Sequence, residues 1–81
     1  MSKRDKLVER IRQRPAVASF ADVRSLLELF GWTHMRTRGS HFTFVKPDEY
    51  PLVVVVHDKR VKRGYLDDIC ERLGLDANDE E

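Results

Sequence analysis

Two segments of the chain repeat apolar residues at the three- and four-residue spacing of a helix. The first covers residues 3–13 with a narrow apolar stripe, and Pro15 ends it because proline restricts the residue before it. The second covers residues 20–30 with a broader apolar face, and Ser19 can cap its free amides while Gly31 can end it. The sequence therefore predicts two helices before the first strand.

Three short segments with the composition of strands follow these helices. They cover residues 32–37, 41–46 and 52–56. Gly39 and Ser40 predict a tight turn between the first two, and a loop with two prolines separates the second from the third. A last amphipathic helix is predicted over residues 62–73, with Gly74 as its end.

This order of elements predicts an α+β fold, in which a three-stranded antiparallel sheet carries helices on one face. The helix–strand–strand–strand–helix part has the topology of the double-stranded RNA-binding domain, to which the N-terminal helix is an addition. We expect a single domain over residues 1–81. Its parts would be a helical extension over 1–15, a core over 19–75 and an acidic tail over 76–81.

The third strand is apolar on both faces, because residues 52–56 do not alternate. If Phe42 and Phe44 face the helices, His41 and Thr43 face the other way. Either the N-terminal helix or a partner protein would then cover the second face of the sheet. In the first strand, alternation predicts Trp32, His34 and Arg36 on one face and Thr33, Met35 and Thr37 on the other.

Charge is unevenly distributed along the chain. The 15 basic and 14 acidic residues nearly cancel, but four acids lie within residues 76–81, so that residues 1–75 carry a formal charge of +5. A domain with this positive charge can bind a polyanion weakly, although many solvated surfaces have a similar charge. The charged N-terminus has no apolar signal segment behind it, and the lone Cys70 has the spacing of a buried helix residue. We therefore expect a cytoplasmic protein with a reduced, buried cysteine.

His41 is the candidate for chemistry, because it follows the Gly39–Ser40 turn at the start of a strand, between Arg38 and Lys46. The three histidines lack the spacing of metal ligands, and the helical cysteine has no neighbouring base. Histidine changes charge near neutral pH, so it can take the proton of an RNA 2′-hydroxyl or protonate a leaving 5′-oxygen. On residue types alone, an exposed strand histidine without a catalytic role is the commoner case. His57 competes for the same assignment.

Several motifs together resemble the HicA toxin family of bacterial toxin–antitoxin pairs. The resemblance covers residues 20–75. Its motifs are the helix end Leu29-Phe30-Gly31-Trp32, the hairpin Arg36-Thr37-Arg38-Gly39-Ser40-His41, the strand over 52–57, the basic loop after it, Gly64, and the helix end Leu73-Gly74-Leu75. The leading helix is similar to an N-terminal extension found in part of the family.

The resemblance implies a metal-independent mRNA endoribonuclease without a cofactor, whose catalytic histidine corresponds to His41. It also implies a HicB-type antitoxin that covers the active face. Gly39 and Ser40 would shape the active-site turn. The side chains expected to contact RNA are Arg36, Arg38, Lys46, His57, Lys59, Arg60, Lys62 and Arg63. The chain departs from the family pattern in having Asp58-Lys59-Arg60 where a glycine-containing loop is common, and Phe42 where many members have a second histidine.

Two other functions fit the same residues. A non-catalytic RNA-binding module of this fold would grip a minor groove by shape and by 2′-hydroxyl contacts. A protein-interaction domain would dock its partner on the strand at residues 53–56. The three functions differ in whether RNA is cut, retained intact or not bound.

Overall fold

The computed structural model describes residues 2–75, which form three helices and five strands. In chain order they are α1 (Lys3–Arg12), β1 (Val17–Ser19), α2 (Phe20–Leu29), β2 (Thr33–Arg38), β3 (His41–Val45), β4 (Leu52–Val55), β5 (Arg60–Lys62) and α3 (Arg63–Leu73). β2, β3 and β4 form an antiparallel sheet in that order, and β1 pairs with β5 in a separate antiparallel ribbon. The predicted α+β fold is confirmed. The predicted acidic tail lies outside the described residues.

The ends of the helices are fixed by the residues that the sequence suggests. The Ser19 hydroxyl accepts the amide of Asp22 at 3.1 Å and so caps α2. At the end of α3, Gly74 has a φ of 73° and the amide of Leu75 donates to the carbonyl of Cys70 at 2.9 Å. This is the glycine-terminated helix end that the sequence predicts.

Helices α2 and α3 pack on one face of the three-stranded sheet, here called the inner face. Phe44 and Val54 are fully buried on it, and Phe42 packs against the same core. His41 is exposed on the opposite, outer face. The predicted alternation in β3 is therefore confirmed, and it leaves the histidine open to solvent.

Helix α1 does not cover the outer face. Its fully buried Ile11 packs between α2 and α3, where the Ile11 carbonyl lies 3.7 Å from the sulfur of the buried Cys70. On the outer face, Met35 remains 50% exposed and Val53 42% exposed. The proposed cover by the N-terminal helix is therefore wrong, because the narrow apolar stripe of α1 is already used against the other helices.

A register shift interrupts β2 between His34 and Arg36. The pairs on either side of the shift are His34 with Phe44 and Arg36 with Thr43. Met35 is the extra residue, so the alternation of β2 inverts there. Arg36 consequently shares the outer face with Thr43, while Thr37 lies beside His34, with 2.8 Å between its Oγ1 and the imidazole Nε2. The predicted faces of Arg36 and Thr37 are wrong for this reason.

The ribbon of β1 and β5 was not predicted from the sequence. Ala18 lies opposite Val61, and both side chains are buried, Val61 completely. Arg60 and Lys62 flank Val61 and are exposed. The segment expected to be a basic loop is thus a short strand whose charged side chains point to solvent, and α3 begins one residue later than predicted.

Candidate active site

The turn before His41 is a two-residue hairpin connection. Arg38 pairs with His41 across it, which leaves Gly39 and Ser40 as the two central residues. Gly39 has a φ of 60°, whereas Ser40 is not among the residues with positive φ. A positive φ at the first central position alone is the pattern of a type II′ turn, which favours glycine there. The backbone conformation at position 39 therefore explains why the motif has a glycine there.

His41 is held between two strands. Its cross-strand partners are Arg38 of β2 on one side and Val55 of β4 on the other. The amide of Val56 also donates to the carbonyl of Ser40 at 2.9 Å, so that the end of β4 is bonded to the turn itself. The backbone of His41 is thus paired on both sides, while its side chain is exposed to solvent.

A second tight turn lies next to this one, at residues 57–60. His57 and Arg60 exchange two backbone hydrogen bonds, of 3.0 Å and 2.9 Å. The central residues Asp58 and Lys59 have φ values of 53° and 60°, the pattern of a type I′ turn. The Lys59 carbonyl also accepts the amide of Phe20 at 2.8 Å, which ties the turn to the start of α2.

Basic residues from three elements lie at this end of the sheet. Arg38 lies across from His41, and Lys59 and Arg60 follow His57 in the neighbouring turn. Arg36 lies one outward-facing row further along β2, opposite Thr43. All four are exposed, and together they are here called the cationic rim. A cationic rim of this kind can hold a phosphodiester backbone.

Lys62 and Arg63 lie further along the same connection. Lys62 pairs with Val17 in the ribbon, and Arg63 is the first residue of α3. The Arg63 Nε donates to the carbonyl of Arg14 at 3.0 Å, and the Arg63 amide donates to the carbonyl of Ala16. One donor of this guanidinium is therefore occupied by the segment that follows α1.

Lys46 is the predicted site residue that the fold separates from the others. It follows β3 at the end opposite His41, roughly 16 Å away along an extended strand. Its side chain lies over Gly31, where a Cβ would be 3.5 Å from the lysine Cε. The prediction that Lys46 and His41 share one patch is wrong, because they mark the two ends of the same strand.

His34 is not part of the outer-face cluster. Its ring lies 5.5 Å from that of Phe42 and 5.4 Å from that of Phe44, on the inner face. His34 therefore packs against the aromatic side chains of the inner face. Within residues 2–75, no three His, Cys, Asp or Glu side chains are grouped as a metal site would require, and no helix there is long and apolar enough to cross a bilayer.

The second tight turn is the functional feature that sequence reasoning missed. Asp58 and Lys59 adopt positive φ without any glycine, and aspartate followed by lysine is a weaker turn signal than a pair with glycine. The available signals were the aspartate at position 58, the loop that the family pattern has here, and the short distance between an apolar strand and a following basic segment. Without that turn, the position of His57 relative to His41 could not be deduced.

The fold and the exposed histidine together define a class of protein: a small α+β domain with the topology of double-stranded RNA-binding domains and a cationic sheet end. Comparison with protein families narrows this class. The family described as "HicA toxin of bacterial toxin-antitoxin" matches residues 20–75, which is more than half of the chain. The chain therefore belongs to the HicA toxin family, and α1 lies outside the matched region. Neither the curated proteins nor the solved structures gave a significant match.

Proposed function

We propose that this HicA-family toxin is an endoribonuclease that cleaves mRNA in the cytoplasm by acid–base chemistry at His41. The exposed position of His41, directly after a tight turn and across from Arg38, supports the proposal most strongly. The 2′-hydroxyl of RNA attacks the adjacent phosphorus, so that an O2′–P bond forms and the P–O5′ bond breaks. A proton leaves the 2′-oxygen and another reaches the 5′-oxygen, and His41 carries out at least one of these transfers.

The cationic rim would hold the phosphate in this reaction. Arg38 is paired with His41 across its turn, and Lys59 and Arg60 belong to the neighbouring turn. Fixed positive charges near the phosphorus stabilise the extra negative charge of the transition state. The remaining contacts proposed for the RNA backbone, further from the reacting phosphate, are Arg36, Lys62, Arg63 and Lys46, whereas His57 lies in the turn next to His41 and is proposed to contact the RNA there.

The reaction as proposed needs no metal ion, since RNA supplies its own nucleophile. Imidazole can perform the proton transfers, and the arginines can offset the charge. Cleavage should therefore persist in excess EDTA. Loss of cleavage in EDTA that returns on adding Mg²⁺ would contradict this part of the proposal.

Family membership implies an antitoxin partner, and we propose that a HicB-type antitoxin covers the outer face. Met35 of β2 and Val53 of β4 are exposed apolar side chains on that face, on either side of Thr43 in β3, and are here together called the apolar strip. A partner seated on this strip would bury apolar surface and block the histidine at the same time. This arrangement explains why β4 is apolar on both faces.

The test compares the unaltered protein with the His41→Gln variant on a labelled RNA, with cleavage and gel retardation followed in parallel. His41 is exposed, so the variant should keep its thermal stability and still retard RNA while cutting it about 10²–10⁴-fold more slowly. Full cleavage by the folded variant would contradict the assignment of His41. RNA that the unaltered protein retards but never cuts would instead favour the non-catalytic RNA-binding module.

A further inference from the structure

The pairing of β3 with β4 continues beyond the last residues of both strands. His41 lies opposite Val55, and the next pair is joined by the hydrogen bond from the Val56 amide to the Ser40 carbonyl. The register is unchanged at that bond, so the following residue, His57, lies level with Gly39. His57 comes two residues after Val55, the cross-strand partner of His41. It is therefore a diagonal neighbour of His41.

Burial along β4 shows which way His57 points. Leu52 and Val54 are buried on the inner face, whereas Val53 is exposed on the outer face. Val56 packs against the core, which continues this alternation by one step. His57 is exposed and follows Val56, so it takes the outer face together with His41.

The two outward-facing histidines are close enough to act on one phosphate. Diagonal neighbours on one face of an antiparallel pair are roughly 7–8 Å apart. Each imidazole needs to come within about 3 Å of the oxygen whose proton it transfers. Two rings at diagonal positions can therefore lie on opposite sides of a phosphorus atom, one near the attacking oxygen and one near the leaving oxygen.

The backbone of His57, like that of His41, is held by hydrogen bonds. Its amide and carbonyl both bond to Arg60, and the turn they close is tied to α2 through Lys59 and Phe20. A side chain on a fixed backbone loses less freedom when the reactive geometry forms. The charged groups around the two rings are Arg38 from β2, Asp58 and Lys59 in the turn, and Arg60 at the start of β5.

We propose that His57 is a second catalytic residue, and that it and His41 divide the two proton transfers of RNA cleavage between them. The inference rests on the proposed function and extends it. As the O2′–P bond forms, the neutral imidazole of one histidine takes the 2′-hydroxyl proton. As the P–O5′ bond breaks, the imidazolium of the other gives its proton to O5′, so that the products are a 2′,3′-cyclic phosphate and a 5′-hydroxyl. No oxidant, metal or further reactant enters this balance.

The first experiment measures the dependence of kcat on pH for the unaltered protein, His41→Gln and His57→Gln. Two histidines in opposite protonation states give a bell-shaped profile. We expect His57→Gln to remove one limb of the bell and His41→Gln the other, with kcat at the optimum falling about 10²–10⁴-fold in each. His34→Gln is the matched control, since that ring is on the inner face, and it should keep both limbs.

A second substrate separates the acid from the base. In RNA with a 5′-bridging sulfur at the cleavage site, the leaving group departs without being protonated. The variant that lacks the general acid should therefore recover most of its rate on this substrate, and the variant that lacks the base should not. Recovery of only one of the two histidine variants supports the proposal, whichever variant it is.

A role of His57 in phosphate binding alone would give a different result. His57→Gln would then raise KM, as Lys59→Gln should, and keep both limbs of the profile, which would overturn the proposal. Retention of the full rate by His57→Gln would also overturn it, while the loss of activity in His41→Gln would leave the proposed function standing. Absence of cleavage by the unaltered protein would contradict the proposed function itself.

Discussion

The amide of Val56 donates a hydrogen bond to the carbonyl of Ser40, across the end of the sheet at 2.9 Å. This bond joins the last residue before His57 to the last residue before His41. It therefore fixes the relative positions of the two histidines through the backbone, independently of their side chains. The stability of both tight turns should then affect cleavage as well as folding.

Gly39→Ala tests the first of these turns. A Cβ at Gly39 would have no heavy atom within 4 Å, so the effect of the substitution comes from its φ of 60° alone. We expect the free energy of unfolding to fall by about 1–2 kcal/mol, because an L-residue is strained at this φ. Urea denaturation measures this change. Cleavage should fall with it, since the start of β3 is displaced.

Gly64→Ala is the matched control for that variant. A Cβ at Gly64 also has open space around it, but Gly64 lies in the first turn of α3 and has no positive φ. Alanine there should raise the free energy of unfolding by about 0.5 kcal/mol, since it is the better helix former. Equal destabilisation of both variants would contradict the conformational role assigned to Gly39.

Lys59→Gly tests the second turn. Lys59 has a φ of 60° at the second central position of a type I′ turn, where glycine is favoured. The substitution should raise the free energy of unfolding by about 1 kcal/mol, since glycine lacks the clash of a side chain at positive φ. RNA affinity should fall because a cation is lost from the rim. Urea denaturation and a gel-retardation titration measure the two effects.

Lys59→Gln separates the effect of backbone strain at this position from the effect of its positive charge. Glutamine removes the charge but keeps a Cβ at positive φ. Its RNA affinity should match that of Lys59→Gly, while its free energy of unfolding should stay within about 0.5 kcal/mol of the unaltered protein. If only the glycine variant weakens RNA binding, the effect comes from the conformation of the turn and not from the charge.

The sequence predicts the position of His41 because two simple rules coincide there. A Gly-Ser pair favours a tight turn, and Phe42 and Phe44 alternate with polar neighbours. Once both aromatic rings are assigned to the core, the outer face of His41 follows. This part of the candidate site depends only on local sequence, which is why it could be anticipated.

The other site residues depend on features that local sequence does not show. The bulge at Met35 turns Arg36 to the outer face, and no residue in β2 signals it. Lys46 is near His41 in the sequence but lies at the far end of an extended strand. The ribbon of β1 and β5 has only three residues on each side, too few for a periodic pattern. These positions are decided by pairing between distant segments.

Arg72→Ala tests a contact at the other end of the sheet. The Arg72 guanidinium lies 5.2 Å from the ring centre of the buried Trp32, and its Nη2 donates to the carbonyl of Tyr50. Loss of the cation–π contact and of the packing should lower the free energy of unfolding by about 1–2 kcal/mol. Trp32 is the single tryptophan, so its fluorescence reports unfolding in urea directly.

Arg72→Lys is the companion variant to this substitution. Lysine keeps the charge but lacks the planar group that both lies over the ring and reaches the Tyr50 carbonyl. It should lose part of the stability and keep the RNA cleavage rate, because this contact is at the end of the sheet away from His41. A fall in cleavage at unchanged stability would contradict that separation.

Val53→Glu tests the outer face as the antitoxin surface. Val53 is 42% exposed on the apolar strip, so a glutamate there remains solvated and the domain should keep its thermal stability. Binding to a HicB-type antitoxin should weaken by at least tenfold, because a charge would be desolvated at the interface. Isothermal titration with the antitoxin measures the loss. RNA cleavage by the free variant should persist and become harder to inhibit.

Val54→Ala is the matched substitution one residue further along β4. Val54 is fully buried on the inner face, so the smaller side chain leaves a cavity and should lower the free energy of unfolding by about 2 kcal/mol. Antitoxin affinity should nevertheless be unchanged under conditions in which the variant is folded, because the outer face is intact. If Val54→Ala weakened antitoxin binding while Val53→Glu did not, the partner would have to sit elsewhere, and the apolar outer face of β4 would need another explanation.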